Sequence, residues 1–220
     1  MLLTAEVVVF LRPSLPQDKT AQIVEADFRP PARRDDIYQA ARNGAKIICL
    51  IDGVFFQDCS VAHKEVLYAL EAGARVLGAS SMGALRASEL DVYGMEGIGM
   101  IYETYRSGRL VSDDEVALTF DPFTFAPASE PLVNIRFNLD LAWQKGVIDA
   151  AVKERLFFCA RALYFPERSY ERMLTAAQGL VEEKDLQAIR SFLEREKRDF
   201  KMEDAVSALQ RVRRIAEEMD

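Results

Sequence analysis

A chain of 220 residues, half of them apolar, is long enough to bury a full core and too apolar to be disordered. Its net charge of −7 argues against non-specific nucleic-acid binding, and no apolar run approaches the about 20 residues of a membrane span. The single histidine, His63, excludes a metal centre built on several imidazoles, and no other metal-ligand spacing is present.

Val7 to Leu11 is a continuous apolar run closed by Arg12-Pro13-Ser14-Leu15-Pro16, a buried strand ended by a proline-punctuated loop. A short second strand is expected over 21–26. Asp35 to Ala41, acidic at its start and followed by Gly44, reads as a helix. Lys46 to Ile51 is a second apolar run without alternation, the pattern of a strand covered on both faces in a parallel sheet. Asp52-Gly53 closes it, and the 54–59 connection, Val54-Phe55-Phe56-Gln57-Asp58-Cys59, carries aromatics that need cover. Ser60 is expected to cap a helix over 61–72, which Gly73 ends. Val76-Leu77-Gly78 is the next strand, and an apolar-periodic helix starts at Met82. The Gly- and Met-rich stretch 94–100 reads as a loop, followed by a helix over 101–107.

Phe120 to Pro131 is an aromatic- and proline-rich connection, and Leu132 opens a helix to Lys145, stopped by Gly146. Beyond Asp149 the pattern is helical almost throughout, broken at Pro166. The stripes Leu186, Ile189, Leu193 and Val206, Leu209, Val212, Ile215 are core or interface faces. The expected class is α/β: a parallel sheet flanked by helices in the N-terminal part, followed by a mainly helical C-terminal part. The expected division is an α/β core over 1–145 and a helical extension over 146–220 packed on it. Cys49, Cys59 and Cys159 form no CxxC or paired spacing and read as reduced, partly buried thiols. The opening Met1 to Glu6 lacks the basic region and cleavage site of a signal peptide, so a cytoplasmic protein is expected.

The chemistry gathers at Gly78-Ala79-Ser80-Ser81-Met82-Gly83. Small residues stand two positions either side of Ser81, the spacing of a nucleophile elbow with Ala79 in the first glycine place. A sharp strand-to-helix turn needs small neighbours, and it leaves a hydroxyl at a helix start, where the free Met82 N–H can receive an oxyanion. Ser80 lacks that spacing and suits the helix N-cap. The plain alternative is that both serines only cap a helix. In a parallel sheet, Asp52-Gly53 and Ser80-Ser81 fall together at the carboxyl ends of strands, where ligands bind. A serine nucleophile needs a base. His63 and Lys64 are the adjacent candidates, about 100° apart around a helix start. Either also reads as an ordinary surface residue.

Five segments together resemble the TfuA family: Ile51-Asp52-Gly53-Val54-Phe55-Phe56, His63-Lys64-Glu65-Val66-Leu67, Ala79 to Ala87, Asp114-Glu115-Val116-Ala117, and Pro131-Leu132-Val133-Asn134-Ile135-Arg136. The resemblance runs from about Val7 to Arg136. It implies a companion of YcaO enzymes in peptide-backbone thioamidation: a hydrolase with a Ser-Lys pair that releases sulfide from a ubiquitin-like sulfur-carrier protein ending in a thiocarboxylate, and that helps YcaO engage its peptide substrate. Carried over by motif, the pair is Ser81 and Lys64, with the Met82 N–H receiving the oxyanion. Asp52, Gly53, His63, Ser80, Gly83, Arg86 and Glu89 are supporting or carrier-binding residues, and Val54-Phe55-Phe56 lines a groove for the carrier tail. No cofactor, metal, nucleic acid or membrane is implied. The competing reading is a non-enzymatic adaptor that docks carrier and peptide on YcaO. A phosphate-binding loop at Gly78 to Gly83 is the weaker third, since it meets neither Walker nor dinucleotide spacing.

Overall fold

The computed structural model describes residues 6–20, 22–55 and 59–219. Strands β1 (Val7–Phe10) and β3 (Ile47–Leu50) are buried at every residue, as non-alternating apolar runs require. With β2 (Asp27–Arg29), β4 (Arg75–Ala79) and β5 (Glu96–Ile98) they form one parallel sheet in the order β2-β1-β3-β4-β5. Val8 pairs with Ile48, and Cys49 with Leu77. The chain leaves β1 toward β2 on one side and resumes at β3 on the other. The loops after β1 and β3 therefore part at the carboxyl edge, where such sheets open a crevice.

Between the strands run α1 (Asp36–Arg42), α2 (His63–Glu71), α3 (Met82–Leu90) and, after β5, α4 (Met100–Arg106). A group of helices follows: α5 (Leu132–Gln144), α6 (Ala150–Ala162), α7 (Tyr170–Ala176) and α8 (Glu183–Glu196), then α9 (Phe200–Met219). Val7, Val9, Ile47, Cys49, Ile51, Leu77 and Ala79 line one face of the sheet and pack with Ala205, Ala208, Leu209, Val212 and Ile215 of α9. The alternate residues Val8, Phe10, Ile48 and Leu50 are equally buried. On their side α3 approaches closely: a Cβ on Gly78 would lie 2.2 Å from the Gly83 carbonyl oxygen.

Residues 1–113 together with 201–220 form one compact unit, and 114–200 a second. The division therefore does not fall at 145. Leu132, Ile135, Leu139 and Ala142 of α5 share a core with α6, α7 and α8, whereas the stripe of α9 belongs to the sheet. In the second unit Arg168, 1% exposed, bonds the Asp114 carboxylate at 2.8 Å, and Arg136 pairs with Glu115.

Other expectations also shift. The second strand lies at Asp27–Arg29 rather than over 21–26, whose first residue, Ala21, is outside the described residues. The 94–100 stretch is not all loop but contains β5. The second helix starts at His63, and Ser60 does not cap it; the Glu65 carboxylate reaches back to the Ala62 N–H at 2.9 Å. Val54 and Phe55 are described, but Phe56, Gln57 and Asp58 are outside the described residues, and the groove expected there with them.

Candidate functional site

The carboxyl edge of the sheet brings three turns together. Asp52 follows β3 and is 2% exposed. Its Oδ2 accepts the N–H groups of Arg12 and Ser14, both at 2.9 Å, and its Oδ1 accepts the Ser14 hydroxyl at 2.7 Å. Arg12 and Ser14 belong to the loop after β1, so Asp52 ties the two central strand ends together at the point where they part. The Ser80 hydroxyl donates to Ser14 Oγ at 3.1 Å and extends this buried chain to the end of β4.

The turn after β4 is sharp. Ser80 has φ +65, a left-handed backbone uncommon for a residue with a side chain. Ser81 then donates its N–H to the Ala79 carbonyl at 2.8 Å, and α3 begins. Gly83 lets the first turn of α3 sit on β3: a Cβ there would lie 1.8 Å from the Leu50 carbonyl oxygen, and its N–H donates to Ile51 at 3.2 Å. Gly53 makes room for Met82 in the same way, its virtual Cβ lying 2.8 Å from Met82 Cγ. The Met82 N–H takes no acceptor among the described residues, so it is the free donor at the head of α3. Ser80, expected as the N-cap, instead turns its hydroxyl to Ser14. Ser81 occupies the cap position and makes no side-chain capping bond.

The Ser81 hydroxyl is 3% exposed and receives the amine of Lys201 at 3.0 Å. Lys201 is 2% exposed and lies in the first turn of α9. The expected partner, Lys64, is exposed and makes no polar contact among the described residues. The reason is the phase of α2: Glu65, Val66 and Ala69 form its buried stripe, which turns position 64 away. The amine that the structure places on Ser81 is Lys201 and not Lys64.

His63, Arg86 and Glu89 form a separate group. One Glu89 oxygen takes both His63 Nε2 and Arg86 at 2.8 Å, and Arg86 also donates to the Val61 carbonyl at 2.9 Å. No hydrogen bond joins this group to Ser81 or Asp52; it links the start of α2 to α3. Among the described residues no cluster of His, Cys, Asp or Glu is arranged to hold a metal, and no helix is long and apolar enough to cross a membrane.

A family model described as TfuA-like protein matches residues 52–169, more than half of the chain. The chain belongs to the TfuA-like family. The family region spans Asp52, Ser80, Ser81 and Gly83 together with the 114–117 and 131–136 segments, and it ends before Lys201. No curated protein matches the chain. Sequence reasoning therefore found the family and the turn that carries Ser81, but not the lysine that meets it, which lies 120 positions away in a helix outside the family region. A signal was present. Lys201 and Asp204 fall in phase with Ala205, Ala208 and Leu209, two charged residues on an otherwise apolar stripe.

Proposed function

We propose that this TfuA-like chain is a Ser-Lys hydrolase that releases sulfide from the C-terminal thiocarboxylate of a ubiquitin-like sulfur-carrier protein, and so supplies a YcaO enzyme acting on the backbone of a peptide. The observation that carries the hydrolase reading is the 3.0 Å approach of the Lys201 amine to Ser81 Oγ, beside a free N–H at a helix start. The carrier, the peptide and YcaO rest on the family resemblance.

Ser81 Oγ attacks the thiocarboxylate carbon while Lys201 takes the hydroxyl proton. This needs the neutral amine. The tetrahedral oxyanion meets the Met82 N–H. Collapse breaks the C–S bond; Lys201 returns its proton to the departing sulfide, and the carrier remains as an ester on Ser81. Water then attacks that ester, Lys201 takes the water proton, and collapse restores the Ser81 hydroxyl. The balance is one water consumed, and one sulfide and one carboxylate formed. Asp52 touches no reacting atom in this scheme; through Ser14 and Ser80 it holds the turn that presents Ser81.

One observation favours a second reading, the non-enzymatic adaptor: Ser81 and Lys201 are both almost fully buried, as a bond that merely locks α9 to the sheet would be. Sulfide release from thiocarboxylated carrier separates the two. Ser81→Ala and Lys201→Ala should each lower it by about 10³-fold or more, and the double variant should be no slower than either single one. Lys64→Ala should leave it unchanged. Full release by Ser81→Ala would establish the adaptor.

A further inference from the structure

We propose that Asp204 is a positioning residue for Lys201: by gripping the first backbone N–H groups of α4, its carboxylate sets where α9 stands along the sheet and keeps the Lys201 amine on Ser81. The inference rests on the Ser81–Lys201 reading only for its catalytic meaning. Its geometry stands alone.

Strands β4 and β5 are parallel neighbours, with Ala79 paired to Ile98. Ser81 and Met100 each lie two residues beyond that pair, at the heads of α3 and α4. Helix α9 meets both turns with two buried side chains three residues apart. Lys201 reaches the turn after β4 at Ser81 Oγ, 3.0 Å away. Asp204 reaches the turn after β5, its Oδ1 accepting the Met100 N–H at 2.9 Å and its Oδ2 the Ile101 N–H at 2.8 Å.

With both oxygens engaged, the carboxylate cannot slide without losing a bond. The backbone is shaped to receive it: Gly99 has φ +94, and a Cβ there would lie 2.2 Å from the Asp204 carboxyl carbon. At the other end of β5, Glu96 takes Arg211 of α9 at 2.5 Å, which fixes the direction in which the helix runs. Arg211 is ten residues from Lys201, whereas Asp204 is within one turn and carries the local register.

The test is the reactivity of Lys201 itself. The folded chain is acetylated with acetic anhydride and each lysine is followed by peptide mass spectrometry. Thiol labelling of Cys49, buried in β3, reports on the fold as a whole. In the wild type Lys201 should react about 10-fold or more slowly than exposed Lys64, since local opening must come first. Asp204→Asn places an amide N–H₂ against one of the two N–H donors, and Gly99→Ala pushes the carboxylate away while leaving it ionised. Each should raise Lys201 acetylation by about 10-fold, with Lys64 unchanged and Cys49 still protected. Where sulfide release is measurable, kcat should fall with KM unchanged. Lys201 as protected in both variants as in the wild type would overturn the proposal. So would loss of Cys49 protection in both, because Asp204 would then hold the fold rather than the lysine. A released Lys201 in a chain whose wild type frees no sulfide would sink the hydrolase reading and leave the positioning role standing.

Discussion

Asp52 accepts three hydrogen bonds from neutral donors at a site closed to solvent. Asparagine there keeps both backbone bonds on its oxygen, but its N–H₂ then faces Ser14 and that hydroxyl must turn from donor to acceptor, so Asp52→Asn should cost about 1–2 kcal/mol of stability in urea unfolding. Asp52 was legible in the sequence because it ends an apolar run, as was Ser81, because small residues bracket it. Lys201 was not, since no local pattern joins a lysine to a serine 120 residues earlier. Lys64 was expected because it matches the family motif; the amine that meets Ser81 in the structure comes from α9. The cysteines differ among themselves: Cys49 and Cys159 are buried and Cys59 is exposed. Burial, with the Glu96 charge adding, pushes the Cys49 thiol up to about 12, and burial raises Cys159 as well. Iodoacetamide at pH 8 should therefore alkylate Cys59 and spare the other two, a pattern read directly by mass spectrometry.

Elements were legible where burial on two faces or a strong stripe wrote them into the pattern. β1, β3 and the helices from α5 onward belong to this class. β5 was hidden because it is three residues long and glycine-bearing; Gly97 is there because a Cβ would lie 2.1 Å from the Tyr102 ring. The start of α9 was hidden for another reason: its entry is set by side chains from α5. Asn138 takes the Arg198 N–H on its Oδ1 at 2.9 Å and donates to the Arg198 carbonyl at 2.8 Å. Asn134 Oδ1 accepts the Phe200 N–H at 3.1 Å, and its amide donates to Asp199 at 3.1 Å. Two asparagines one helical turn apart thus do for the chain before α9 what an N-cap does locally. Asn138→Ala removes both of its bonds to the Arg198 backbone, at a cost of about 1–2 kcal/mol. In native-state hydrogen exchange the Arg198 and Phe200 amides should lose protection, while those of β3 keep it.

At the scale of the whole molecule, Asp204 and Glu96 stand at opposite ends of β5 and pull the pH dependence of folding in opposite directions. Burial works against the Glu96 charge, but Arg211 and Arg75 outweigh it and hold its carboxyl below the usual range. Glu96 therefore contributes stability above its ordinary value of 4.5, and the contribution is lost as pH falls below that. Asp204 is the reverse. Burial, with Glu203 on its own helix and Glu103 on α4 adding, pushes its carboxyl from 3.8 up to about 6, against the pull of the Ile101 and Met100 N–H groups. The folded chain then holds that proton more tightly than the unfolded one. The resulting stability is fully present below about 3.8 and is lost as pH rises through about 6. The span corresponds to about 3 kcal/mol. Urea unfolding of the wild type and of Asp204→Asn at intervals from pH 4 to pH 7 separates this from every other titration, because only the difference between the two curves belongs to Asp204. That difference should move against the wild type by about 3 kcal/mol across the window and be flat above pH 7. Parallel curves would mean that Asp204 is not strained by its burial. A difference that grows as described would mean that, at neutral pH, the fold gives up stability to keep an ionised carboxylate one helical turn from the lysine that meets Ser81.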